Sequence, residues 1–146
     1  MFLFLKVPAA FFSGLKVEHA DENSCSISVP YKWFNRNPFR STYFATLAMA
    51  GEMSTGALAM GYAYKSHPAV SLLVTGIEGR FAKKAVTKTV FTCKDGRAFE
   101  AAVSAALSTG EAQLVKALAT GRNTSGELVA EFEITWSFKK KSIPKE

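Results

Sequence analysis

Over residues 128–138 the chain alternates between two kinds of side chain. Leu128, Ala130, Phe132, Ile134, Trp136 and Phe138 fall on one face, and Val129, Glu131, Glu133, Thr135 and Ser137 on the other. A period of two is that of a strand with one buried face. The same period is present in residues 25–31, where Cys25, Ile27, Val29 and Tyr31 alternate with Ser26, Ser28 and Pro30. The segment "LKVEHADENSCSISVPY" therefore predicts two short strands around a polar turn at "ADENS". "AVSLLVTGIEGRFAKKA" and "VTKTVFTCKDG" are β-rich, with Gly76 and Gly79 as expected bulge or bend points. "RAFEAAVSAALSTG" has helical composition and stops at Gly110. "AQLVKALATGRNTSGELVAEFEITWSFKKK" predicts a long hairpin that turns near "GRNTSG".

One stretch shows neither period. From 43 to 64 nearly every residue is apolar or small, with Gly51, Gly56 and Gly61 interspersed. The composition predicts a helix about 33 Å long. Ser41 or Thr42 is expected to cap its start, and Pro68 lies beyond its end. A helix apolar on every side has to be enclosed on nearly all of them. The alternative, a membrane span, would place Glu52 at the bilayer centre at a cost of about 2.5 kcal/mol or more. The rest of the chain reads as strands of a globular protein, which argues against a span. The economical arrangement is an α+β one: an antiparallel sheet of five or six strands wraps the helix, and a second subunit covers what remains.

Composition narrows the picture. A chain of 146 residues, 48% hydrophobic and 21% charged, fits one domain with a real core. The opening "MFLFLKVPAAFFSG" is interrupted by Lys6 and Pro8 and has no basic region before it, unlike a signal peptide. Residues 1–14 are expected to form a short helix, with Pro8 in its first turn and Gly14 at its end. Residues 139–146 are expected to be a basic tail. Cys25 and Cys93 fall in strand-like runs and read as buried, reduced thiols of a cytoplasmic protein. They do not combine with His19 and His67 into a metal-ligand spacing, so no metal is expected. The net charge of +6 permits an anionic ligand. No nucleic-acid-binding motif accompanies it, and no nucleic-acid partner is expected.

Glu52 is the only charged residue in the long helix, and so its only candidate base. Nucleophilic or general-base attack on an acyl carbon needs such a group, together with donors aimed at the developing oxyanion. The free N–H groups of the first helical turn, at Tyr43, Phe44 and Ala45, are candidate donors. Glu52 lies about 13 Å along the axis from Tyr43. One carbonyl cannot touch both on the same helix, so a shared site would have to form between two subunits. Thr55 and Gly56 follow Glu52 on the same face. Thr55 is a candidate to position water, or else bonds its own backbone. Gly56 leaves room for an acyl chain. The alternative for Glu52 is a buried ion pair across an interface.

The order of elements and the motif "NPFRSTYFATLAMAGE" resemble the hotdog-fold thioesterases of the phenylacetate-pathway type. An uncharacterised thioesterase-like branch of that superfamily is closer still, and it shares a closing strand like "GELVAEFEITWSF". The resemblance covers nearly the whole chain. It implies a single hotdog domain over residues 1–146 and an acyl-CoA thioesterase with an intersubunit site in a homodimer or homotetramer. Coenzyme A would enter as part of the substrate, with no separate cofactor. Asn37 takes the place of the family's Asn, and Tyr43, Phe44 and Ala45 stand where the family has His-Gly-Gly. Glu52 takes the place of the acid. Arg80, Lys83, Lys84 and Lys88 fall where such proteins place cationic contacts at the cleft mouth, or else are solvated strand-end charges. A non-catalytic hotdog module that binds an acyl ligand is the alternative.

Overall fold

The computed structural model describes residues 1–142. Its elements follow the predicted order: helices α1 (Phe2–Lys6) and α2 (Pro8–Ser13), strands β1 (Lys16–Ala20) and β2 (Cys25–Val29), a 3-10 turn at Trp33–Asn35, the long helix α3 (Phe44–Tyr64), strands β3 (Val70–Phe81) and β4 (Thr89–Cys93), helix α4 (Gly96–Thr109), and strands β5 (Gln113–Arg122) and β6 (Leu128–Lys140). The expected single N-terminal helix is two short ones, divided at Val7. Pro8 begins α2, and Gly14 ends it in the left-handed conformation. The expected basic tail also begins later than residue 139. β3 and β6 pair up to Val70↔Lys140, and the Lys141 N–H then donates to the Ala69 carbonyl, so Lys139 and Lys140 belong to the ladder. Residues 143–146 lie outside the described residues.

All six strands form one antiparallel sheet in the order β1-β2-β4-β5-β6-β3. The fold class is α+β, and the sheet wraps α3, which packs against β2, β3, β4, β5 and β6 and against α4. From Ala130 on, the inward set of β6 expected from its alternation is buried, with Phe132, Ile134, Trp136 and Phe138 facing the core; at its start the expectation fails, since Val129 is buried and Leu128 only partly so. They meet the ring of Phe91 from β4 and that of Phe99 from α4. Cys25 and Cys93, opposite each other in the β2–β4 register, are free thiols in this layer. Burial pushes the Cys93 thiol up to about 12.

Close packing of helix on sheet explains one glycine of α3. A Cβ at Gly51 would stand 2.7 Å from Cδ2 of Phe132. In β3 the register shifts between Val74 and Gly76, the expected bulge. At Gly79 it does not shift. The glycine there makes room for the Phe132 ring, whose Cε1 would lie 2.8 Å from an added Cβ.

α3 is not enclosed all round. Ala45, Ala48, Met49, Glu52, Met53, Ala57, Met60 and Tyr64 remain partly or fully exposed, and they trace one stripe along the helix. Among the described residues, no helix is long and apolar enough to cross a membrane.

Candidate active site

Glu52 sits midway along that stripe. Its carboxylate has neither an ion pair nor a hydrogen bond among the described residues, and burial alone raises its pKa above the ordinary glutamate value. It lies on the wall of a cavity of about 740 Å³ between α3, the N-terminal helices, the start of β1 and the middle of β2. The other charged residue on that wall is Lys16. Gly56, one turn on, is where the carboxylate folds over the helix. A Cβ there would stand 3.2 Å from Glu52 Oε1 and 3.1 Å from Trp136 Cζ2. Glycine thus lets the acid and the indole lie side by side.

Thr55 does not hold water in this arrangement. It is fully buried. Its hydroxyl donates to the Glu52 carbonyl at 2.9 Å and accepts from Trp136 Nε1 at 2.9 Å. The backbone bond is the alternative weighed from the sequence, and the hydroxyl's further work is to pin Trp136 as a wall beside Glu52. Trp136 is the site residue that sequence reasoning missed. Its inward direction is legible from the alternation of β6, but its partner lies 81 positions away.

The start of α3 opens on a different surface. Tyr43 is the N-cap residue, with extended backbone, and no side chain caps the helix. Neither expected cap serves: the Ser41 hydroxyl bonds to Asn37, and Tyr43 occupies the N-cap position in place of Thr42. The N–H groups of Phe44 and Ala45 consequently have no partner among the described residues, at the positive end of a 21-residue helix. Tyr43 is not a donor for an oxyanion, because its N–H donates to the Asn35 carbonyl at 2.7 Å.

Asn37 holds this loop rather than reaching outward. Its Oδ1 accepts from the N–H groups of Phe39 (3.0 Å) and Ser41 (3.2 Å). Asn35, unremarked in the sequence, is the buried anchor. Its Nδ2 donates to the carbonyls of Ser13 and Pro30, both at 2.9 Å, and ties α2 to the loop.

A groove of about 460 Å³ lies at the helix start, lined by Asn37, Tyr43, Phe44, Phe81, Lys83 and Lys84 among others. The four predicted cations divide here. Lys83 and Lys84 border the groove, and Lys83 is held by Glu127. Arg80 pairs with Glu78 at 2.8 Å, and Lys88 with Glu18 at 3.3 Å; neither lines the groove. The structure therefore does not gather the four into one patch. The Glu52 cavity and the helix-start groove share no lining residue. Among the described residues, no cluster of three or more His, Cys, Asp or Glu side chains could hold a metal ion.

A long helix wrapped by a six-stranded antiparallel sheet is the hotdog fold, and the chain's structural neighbours include proteins described as thioesterases. The chain belongs to the family described as Domain of unknown function (DUF4442), whose profile matches residues 2–138. A Pseudomonas aeruginosa protein of unknown function described as a "probable thioesterase" is 19% identical and superimposes with a TM-score of 0.84, over 96% of this chain and 93% of that one. A Chlorobaculum tepidum protein of unknown function is 15% identical, with a TM-score of 0.81 over 96% and 91%. A Haemophilus influenzae thioesterase is 10% identical, with a TM-score of 0.70 over 98% and 90%. No curated protein matches the sequence.

Proposed function

We propose that the protein is an acyl-CoA thioesterase whose two active sites form between the subunits of a homodimer. The observation that carries this reading is Glu52: an unpaired carboxylate in an apolar cavity, with its pKa raised by burial. An acid left that way costs stability, and acids perturbed by burial in a cleft cluster at functional sites. Glu52 of one subunit takes a proton from water, and the resulting hydroxide adds to the thioester carbon. The oxyanion is received by the Phe44 and Ala45 N–H groups of the other subunit. The carbon–sulfur bond then breaks, and the coenzyme A thiolate takes the proton back from Glu52. Lys83 and Lys84, bordering the helix-start groove, would meet the phosphates.

The separation of the two half-sites within one subunit supports the shared site. Two further features support a partner. β3 is a 12-residue strand at the sheet edge. Toward its end, Ile77 and Phe81 face inward yet remain about half exposed, and the Phe81 ring meets that of Phe44. A second reading, a non-catalytic acyl-binding module, is favoured by the side chains of Tyr43 and Phe44 at the helix start. A panel of acyl-CoA thioesters with a thiol-trapping readout separates the two. Hydrolysis of any member above the uncatalysed rate supports the enzyme. Inertness to the whole panel, with binding retained, supports the module.

A further inference from the structure

The cavity beside Glu52 extends away from the carboxylate along α3. Met53, Gly56, Ala57 and Met60 follow Glu52 down the exposed stripe, and Val7 and Phe11 of the N-terminal helices face them across the space. From Glu52 to Met60 is about 12 Å of helix. An extended hydrocarbon with bonds of about 1.5 Å, advancing about 1.25 Å per bond in its zigzag, spans that length with about ten carbons. The volume of about 740 Å³ falls in the range of pockets that enclose a whole ligand. A small aromatic acyl group would end short of Met60 and forfeit contact with the far wall. Methionines on the floor give a surface that conforms to a flexible chain.

We propose that this cavity is a channel for an unbranched aliphatic acyl chain of about ten carbons, roofed by α1 and α2, with Ala57 and Met60 setting the length it accepts. The inference rests on the thioesterase reading for the role of Glu52, but not for the tail, because binding of a fatty chain is measurable without turnover.

The test is displacement of the fluorescent probe 1-anilinonaphthalene-8-sulfonate from the full-length Glu52→Gln protein, in which a fatty carboxylate meets no charge at position 52. Competitors are saturated fatty acids from butyric to palmitic, and phenylacetic acid. Affinity should rise about fourfold per methylene and level off near ten carbons. Ala57→Phe, which fills the channel, should weaken decanoic acid binding at least tenfold. Met60→Trp serves the same purpose if the first variant does not fold. Three results would overturn the proposal: no displacement by any saturated chain, phenylacetic acid competing better than decanoic acid, or full binding by a folded channel-filled variant. Length-dependent binding by a protein inert to acyl-CoA would sink the thioesterase and leave the channel standing. Hydrolysis of short or aromatic thioesters without fatty-acid binding would do the reverse.

Discussion

Glu52 titrates in an apolar wall, and the sign of its effect on stability follows from that. With the folded pKa raised by burial, the folded protein holds this proton more tightly than the unfolded chain does. The stability it lends is full at low pH and is lost as pH rises through the raised value. Glu52→Gln keeps the neutral shape, so its melting temperature at neutral pH should exceed that of the wild type, and the gap should close as pH falls below the ordinary glutamate range. Turnover of the same sample should fall by about 10² to 10⁴, the range of a positioned general base. Had Glu52 been half of a buried ion pair, the variant would instead lose about 3–5 kcal/mol. Thermal unfolding and acyl-CoA hydrolysis measured together across pH distinguish these. That an acid stood in an apolar helix was legible from composition alone. That Thr55 would spend its hydroxyl on Trp136 was not, because the bond joins a helix to a strand far along the chain and no local period encodes it. Asn35 went unremarked beside Asn37 for a related reason. Both lie in one turn-rich segment, and only tertiary contacts with Ser13 and Pro30 make Asn35 the anchor.

At the level of elements, α3 sets the spacing of everything else. Gly51 and Gly61 are alike in sequence and opposite in circumstance. Gly51→Ala drives a methyl into Phe132 and should destabilise by about 1–3 kcal/mol. An added Cβ at Gly61 meets nothing within 4 Å, so Gly61→Ala should stabilise by about 0.5–1 kcal/mol. Chemical denaturation of the two variants checks both signs. The strands were legible because their period of two survives into the fold, most plainly in β6. The division of residues 1–14 into two helices was half legible: Pro8 in a first turn sets the start of α2, but nothing local to residues 2–6 marks a separate helix. The cations show the same boundary. Sequence put Arg80, Lys83, Lys84 and Lys88 in one neighbourhood, yet Lys88 pairs with Glu18 of β1 and lies off the helix-start groove. Lys84→Ala should therefore raise KM for an acyl-CoA, more so at low salt, with kcat unchanged. Lys88→Ala should leave both constants as they are. Steady-state kinetics at two ionic strengths checks the contrast.

For the whole molecule, the exposed start of α3, the long edge of β3 and the two separated half-sites all call for a second copy. Light scattering at micromolar concentration should find a dimer or a tetramer, with no folded monomer. The shared site is tested most directly by complementation. Phe44→Pro removes one N–H donor at the first helical position, where proline is tolerated, and the extended backbone of Tyr43 suits a following proline. Phe44→Ala, which keeps the donor, controls for loss of the ring. Phe44→Pro and Glu52→Gln homodimers should each be nearly inactive. Unfolded and refolded together in equal amounts, they form mixed dimers in which one site has both its acid and its donors intact, and the mixture should recover about a quarter of wild-type activity. A mixture that forms mixed dimers and stays as inactive as its parents would contradict a site built between subunits.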